Sequence, residues 1–163
     1  AAQGFQAVRG KDVYDLTSIN WASYGPGNFP FQLRQQPGPK NALGRVKFMF
    51  PNQHDVYLHD TPSRAAFSKA ERAFSHGCIR LSRPLELALQ VLTAGGVTGW
   101  SMDRINQVVA TEKNTVVKLA TPLPIHLTYL TAWVDEDGVN FRKDIYGQDA
   151  KLLAALDGKA LAW

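Results

Sequence analysis

A single cysteine, Cys78, stands alone among 163 residues. No disulfide framework can form within the chain, and zinc sites built on paired cysteines are excluded. No apolar run approaches the ~18 residues that a membrane-spanning helix needs. Internal repeats and low-complexity segments are absent, which excludes solenoids and compositionally biased tails. The opening Ala1-Ala2-Gln3-Gly4 has neither the charged start nor the apolar stretch of a signal peptide, and no Met. A processed form or a piece of a longer chain is therefore expected. Neither sign of charge dominates. Lys and Arg total 18 against 14 Asp and Glu, a net +4, and the isoelectric point is near 9.3. That scattered excess suits an anionic partner such as nucleic acid, anionic lipid or an acidic polymer, and selects none of them.

What is present is ordinary globular material. Hydrophobic residues make up 45% and charged residues 20%, which argues against disorder. The length suits one domain, or one with a small appendage. Surface scaling predicts a folded area of roughly 8,000 Å² against roughly 26,000 Å² unfolded.

Phe5-Gln6-Ala7-Val8 is β-like, and Tyr24-Gly25-Pro26-Gly27-Asn28 and Gln36-Pro37-Gly38-Pro39-Lys40-Asn41 are turn clusters. Strands are predicted over 45–50, 55–60 and 115–119, with a long β-rich run over 125–134. Asp135-Glu136-Asp137-Gly138 turns that run into 139–142. Residues 78–81 read as a short strand or turn. Thr61-Pro62-Ser63 predicts a helix to about Arg72, with Thr61 as cap. Ser82-Arg83-Pro84-Leu85-Glu86 predicts a second helix ending at Gly95-Gly96. Ser101–Ala110 and Asp149–Leu156 are two more. Trp21, Trp100, Trp133 and Trp163 are expected in the core or at its rim.

Ser75-His76-Gly77-Cys78 carries the chemistry. A nucleophilic cysteine needs a base or positive field to form its thiolate, and free N–H groups to hold an oxyanion. Gly77 permits a tight bend and close substrate approach. Two histidines are candidate bases. His76 is adjacent in sequence; His59 ends a predicted strand. Strand parity places Tyr57 and His59 on one face and His54 on the other, which makes His54 and His59 poor joint metal ligands. A catalytic histidine needs its second nitrogen oriented, and Asp60 offers either its carboxylate or a backbone carbonyl.

His59, fifteen intervening residues and then Ser-His-Gly-Cys resemble the signature of the L,D-transpeptidase (YkuD-like) catalytic domain family. The flanks agree: Tyr57-Leu58-His59-Asp60-Thr61-Pro62, Arg72-Ala73-Phe74 and Ile79-Arg80-Leu81. Gln36-Pro37-Gly38-Pro39, Asn41-Ala42-Leu43-Gly44, Val46-Lys47-Phe48, Thr131-Ala132-Trp133-Val134-Asp135 and Asp144-Ile145-Tyr146-Gly147 resemble the larger periplasmic members, which carry a capping subdomain. The resemblance spans roughly residues 30–150.

It implies a mainly β, α+β fold with short helices: a β-sandwich catalytic domain over 29–163, lacking its amino-terminal strands. Residues 1–28 would be the tail of a capping insertion. It also implies a peptidoglycan enzyme of the periplasm or cell envelope, needing no cofactor or metal, with no nucleic acid partner. Cys78 would attack the bond before the terminal D-Ala of a tetrapeptide stem, forming a thioester. A second stem's amine would resolve it into a 3→3 cross-link. His59 would be the base, Asp60 its orienter through the backbone carbonyl, and Gly77 an oxyanion donor through its N–H. Tyr57 would add a hydroxyl, or simply pack. Ser75 and His76 would shape the pocket or touch substrate. Arg80 would clamp a substrate carboxylate or brace the loop. Carbapenems would be covalent inhibitors. Three other readings compete: an L,D-carboxypeptidase or hydrolase using water at the same site, a non-catalytic wall-binding fragment, and a metalloprotein built on His59, His76 and Cys78. The last has ligand spacing unlike common zinc patterns.

Overall fold

Eight short strands, three α-helices and two 3-10 turns occupy the described residues, 4–158, of the computed structural model. The opening Ala1-Ala2-Gln3 and the end of the chain with Trp163 lie outside them. The chain forms two compact units, Ala1–Leu123 and Pro124–Trp163.

The first unit begins with a three-stranded antiparallel sheet. β1 (Phe5–Arg9) lies between β2 (Asp12–Tyr14) and β3 (Gln32–Gln35). Ala7, opposite both Tyr14 and Leu33, is fully buried. The β2–β3 connection carries an aromatic group in which Trp21 stacks on Phe29, and Tyr24 and Phe31 meet it edge-on.

The second sheet holds β4 (Lys47–Phe48), β5 (Leu58–His59) and β6 (Ile79–Arg80). β4 and β5 are antiparallel; β5 and β6 are parallel. The strands predicted over 45–50 and 55–60 are thus only two residues each, for two physical reasons. Between them the Asn52 side chain builds the turn. Its amide donates to the Phe50 and Val56 carbonyls, and its oxygen accepts the His54 and Val56 N–H groups. At the other end the Arg45 N–H goes to the Asp60 carboxylate rather than to a strand.

A 3-10 turn over Arg64–Ser68 replaces the helix expected over 61–72. Thr61 does not cap it; the Thr61 hydroxyl accepts the Ser63 N–H instead. α1 (Pro84–Ala94) carries Pro in its first turn and ends at Gly95, as its sequence predicts. Its capping position is Arg83 with no side-chain cap, while the Ser82 carbonyl is bound by Arg64. α2 (Met102–Ala110) is capped by Ser101, whose hydroxyl accepts the Arg104 N–H. Leu85, Ala88 and Leu92 of α1 meet Ile105 of α2 in the core, with Phe48, Trp100 and Leu119 packed against it. No strand forms over 115–119; this segment has no ladder partner among the described residues, and Val116 is 77% exposed. It is held at its end, where Leu119 lies against Gly95 and the Thr121 N–H donates to the Gly95 carbonyl.

The second unit is a hairpin and a helix. β7 (Ala132–Asp135) and β8 (Gly138–Phe141) pair across the expected turn, and α3 is Asp149–Leu156. The β-rich run before Ala132 forms no ladder, though the Arg142 N–H donates to the Thr131 carbonyl. Asp144 organises the unit. Its carboxylate accepts the Asp149 and Tyr146 N–H groups and the Tyr129 hydroxyl. The Asp149 N–H foremost holds its pKa down to about 2, against burial, with further help from Gln148, Tyr129 and Tyr146.

Helices and strands take comparable shares, so the chain is α+β rather than mainly β, with its strands in three small sheets. Several large apolar side chains lie outside the core, Val134, Val139 and Phe141 among them.

The core's smallness makes each member matter. Ile105→Ala is expected to cost about 2–4 kcal/mol, read as a lower urea midpoint by far-UV circular dichroism. Val116→Ala, at an exposed site, should stay within about 0.5 kcal/mol.

Candidate active site

Register builds the site. In β5–β6, Leu58 pairs with Ile79 and His59 with Arg80, so Tyr57 comes level with Cys78. The ladder continues beyond the strands: the Ile79 N–H donates to the Tyr57 carbonyl at 3.0 Å and the Leu81 N–H to the His59 carbonyl at 2.8 Å. Paired residues of neighbouring strands project to the same face, and successive residues alternate. Tyr57, His59, Cys78 and Arg80 therefore share one face, across a strand spacing of about 4.8 Å. Lys47, opposite His59 on β4, joins them.

Side-chain contacts agree. The Tyr57 and His59 rings meet edge-on with centroids 5.9 Å apart. The Lys47 ammonium lies 5.1 Å from the centre of the Tyr57 ring. Burial raises the Tyr57 pKa, and the neighbouring Cys78 raises it further through its charge and a side-chain hydrogen bond. Tyr57 thus stays a neutral O–H donor at neutral pH. Cys78 is half-buried, and its Sγ lies 4.0 Å from the Asp55 carbonyl. Asp55 adopts a left-handed φ of 51° at the end of the Asn52 turn.

His59 is 5% exposed, and its Nδ1 is hydrogen-bonded to the backbone carbonyl of Asp60. A carbonyl oxygen only accepts, so Nδ1 carries the hydrogen. In the neutral ring the lone pair then sits on Nε2, where a base needs it.

The Asp60 carboxylate turns elsewhere. It is almost fully buried and accepts from Arg45 twice, through the backbone N–H at 2.9 Å and Nε at 3.1 Å. Arg64 Nη2 donates to its other oxygen at 2.7 Å. Burial pushes the Asp60 pKa up, but the Arg45 and Thr61 N–H groups, the Arg45 side chain and the Arg64 charge outweigh it and hold the carboxyl below its usual range. Gly44 makes the approach possible: its φ is +65°, and a Cβ there would stand 2.5 Å from the Asp60 side chain. Of the two orienting groups open to Asp60, the carbonyl meets His59 and the carboxylate meets arginine.

The other expected residues sit as follows. Gly77 has a φ of +138°, and a Cβ would come within 2.7 Å of Val56, so no other residue fits without a shift. Its N–H donates to the Ser75 hydroxyl at 3.3 Å rather than standing free. The Cys78 N–H meets no acceptor among the described residues. Ser75 and His76 lie exposed on the loop before β6, off the strand face. Arg80 is half-buried and braces no carbonyl among the described residues; that task falls to Arg64, whose Nη1 reaches the Leu81 and Ser82 carbonyls at 3.3 and 2.6 Å. Sequence reasoning missed Lys47, Arg45 and Arg64. Their only signals are the alternation of β4 and the four-residue spacing from Asp60 to Arg64. Among the described residues no group of three His, Cys, Asp or Glu side chains could hold a metal ion, and no helix is long and apolar enough to cross a membrane.

Residues 5–118 match the YkuD family, described as the L,D-transpeptidase catalytic domain. A Haemophilus influenzae protein provisionally named as an L,D-transpeptidase is 38% identical over 141 residues, which is 86% of this chain. The chain spans 28% of that relative's length.

The depressed Asp60 pKa links stability to pH with a definite sign. Its contribution is full above the unfolded carboxyl pKa of about 3.9 and is lost as pH falls through the lower folded value. Asp60→Asn should cost about 1–3 kcal/mol at pH 7, its arginine partners being partly hydrated. Thermal melts at pH 7 and at pH 3 should show the gap between variant and wild type narrowing in acid.

Proposed function

Because the chain belongs to the YkuD family of L,D-transpeptidase catalytic domains, we propose that it acts on peptidoglycan stem peptides through Cys78 and His59. His59 Nε2 takes the Cys78 thiol proton, and Sγ attacks the carbonyl between meso-diaminopimelate and the terminal D-Ala. The tetrahedral oxyanion is met by the Cys78 N–H and the Tyr57 hydroxyl. Gly77 adds its N–H if substrate displaces the Ser75 hydroxyl. Collapse breaks the C–N bond. The imidazolium gives its proton to the departing D-Ala amine, leaving a thioester on Cys78. An amine from a second stem attacks the thioester, His59 accepts its proton, and the thiolate leaves as the 3→3 cross-link forms. The thiolate recovers that proton from His59.

One observation carries this reading: the β5–β6 register that sets Tyr57, His59, Cys78 and Arg80 on one face, with His59 turned by the Asp60 carbonyl. Lys47 and Arg80 give that face a positive field, which favours the thiolate. Arg80 would clamp a stem carboxylate. Ser75 and His76 contact substrate from the loop. Residues 1–28 are read as the tail of a capping insertion, and 29–163 as a catalytic domain of the β-sandwich type. The working place is the periplasm or cell envelope, in wall building and cell shape. Carbapenems would acylate Cys78.

The exposed Ser75–Gly77 loop favours one second reading. Water can reach the thioester there, which would make the enzyme an L,D-carboxypeptidase.

Incubation with a disaccharide-tetrapeptide, followed by mass spectrometry, tests both. The wild type should yield a dimer short of one D-Ala, and Cys78→Ala none. His59→Ala should slow turnover by about 10²–10⁴-fold. Tripeptide alone would select the carboxypeptidase. Equal product from Cys78→Ala would overturn the mechanism; no turnover and no carbapenem adduct on Cys78 would overturn it too and leave a wall-binding fragment.

A further inference from the structure

Asp60 joins two things that no hydrogen-bond count requires to be joined. Its carbonyl holds Nδ1 of His59, and its carboxylate is gripped by Arg45 and Arg64. Only the peptide plane and one Cα separate them. The carboxylate is nearly inaccessible, with a side chain 3% exposed, while its partners are 44% and 41% exposed. Taking a carboxylate out of water and matching it with ion pairs adds little net stability. Fixing its direction is a different gain.

The fixing reaches both halves of the site. The Asp60 N–H donates to the Val46 carbonyl at 2.8 Å, which ties it to the end of β4. Arg64 donates to the Asp60 carboxylate and also to the carbonyls of Leu81 and Ser82, immediately after β6. One guanidinium thus spans the ends of the strands that carry His59 and Cys78. Arg45 closes the opposite side, helped by the close approach that Gly44 permits.

We propose that Arg64 and Arg45 are positioning residues: acting through the Asp60 carboxylate, they hold the Asp60 carbonyl where it fixes the tautomer and ring plane of His59, and Arg64 sets the distance between the His59 and Cys78 strands. This rests on the reading of His59 as the base of Cys78. The charged and titratable groups around the ring are Tyr57 and Asp60 at the two ends of β5, Lys47 on β4, Cys78 just before β6 and Arg80 on it. The arginines stand behind Asp60, away from the working face.

Two readouts on the whole chain test the proposal. Long-range ¹H–¹⁵N spectra report the tautomer of His59. The pH profile of Cys78 alkylation by iodoacetamide reports how His59 acts on the thiol. Wild type, Arg64→Ala, Arg64→Lys, Arg45→Ala and His59→Ala are compared, each checked for fold by circular dichroism. The wild type is expected to show one tautomer, with the hydrogen on Nδ1. Arg64→Ala should mix the tautomers and slow alkylation at pH 7 at least tenfold. Arg64→Lys, which keeps the charge but not the fork, should recover part of both. Arg45→Ala should shift both in the same direction, and it carries the test if Arg64→Ala does not fold. A folded Arg64→Ala, or in its place Arg45→Ala, with wild-type tautomer and wild-type alkylation profile overturns the proposal. His59→Ala keeps the two readings apart. If it leaves the alkylation profile unchanged, His59 is not the base, and the tautomer readout alone then decides whether the arginines position the ring.

Discussion

The pairing of two-residue strands β5 and β6 is the constraint on which the site depends. His59 and Cys78 are nineteen positions apart, and a parallel ladder needs a crossover between its strands. Here residues 60–78 supply it, with a 3-10 turn over Arg64–Ser68 inside. A one-residue slip in this register would turn Cys78 to the opposite face from His59. Hydrogen bonds from Ile79 and Leu81 to the Tyr57 and His59 carbonyls lock the register. Arg64 braces its far end, on the Leu81 and Ser82 carbonyls. So short a ladder cannot hold by its own hydrogen bonds; side chains at each end complete it. Asn52 does so at the β4–β5 turn and Arg64 at the exit of β6.

Asp60 shows how one residue can serve two electrostatic purposes without conflict. A carboxylate turned to His59 would favour the imidazolium, leaving less of the ring free to take a proton. A carbonyl orients the same nitrogen with no net charge. The carboxylate is instead placed against two guanidinium groups, which cancel its charge locally. The face that carries Cys78 then feels Lys47 and Arg80, and no buried acid beside it. Tyr57 fits the same logic: kept protonated by burial and by Cys78, it offers a donor and brings no second negative charge.

The chemistry was legible in the sequence where it lay in residue types and short spacings. Ser-His-Gly-Cys, the preceding histidine and the parity of Tyr57 with His59 each point to a thiol site. Helices α1, α2 and α3 were legible too, because Pro84, Ser101 and the apolar spacing act locally. Strand lengths were not. Their ends are set by side chains that take backbone partners away, Asn52 at one turn and the Asp60 carboxylate at Arg45. The segment over 115–119 has the β-branched composition of a strand, and it lacks a neighbour to pair with. Arg45 is fifteen positions from Asp60, and no local pattern announces that their side chains meet. Arg64 was closer to hand, at a spacing usually read as helical, but the segment is not an α-helix.

Rigidity and exposure are divided across the site in a way that bears on acyl transfer. His59, Asp60 and Thr61 are buried and bound on several sides. Ser75, His76 and Gly77 are exposed, and the Gly77 N–H is spent on a long bond to its own loop's serine. In the proposed mechanism the base would therefore be set before substrate arrives, whereas part of the oxyanion site would be made only when a substrate oxygen competes better than the Ser75 hydroxyl. An oxygen gaining negative charge in the transition state does compete better, since charge-assisted hydrogen bonds are about twice as strong as neutral ones. The Ser75–Gly77 bond would then be given up mainly in the transition state. An interaction gained there and not in the ground state raises turnover rather than ground-state affinity. The fixed histidine and the exchangeable glycine N–H are thus two parts of one proposed arrangement, the first built by the arginine-held aspartate and the second by a loop whose φ of +138° favours glycine.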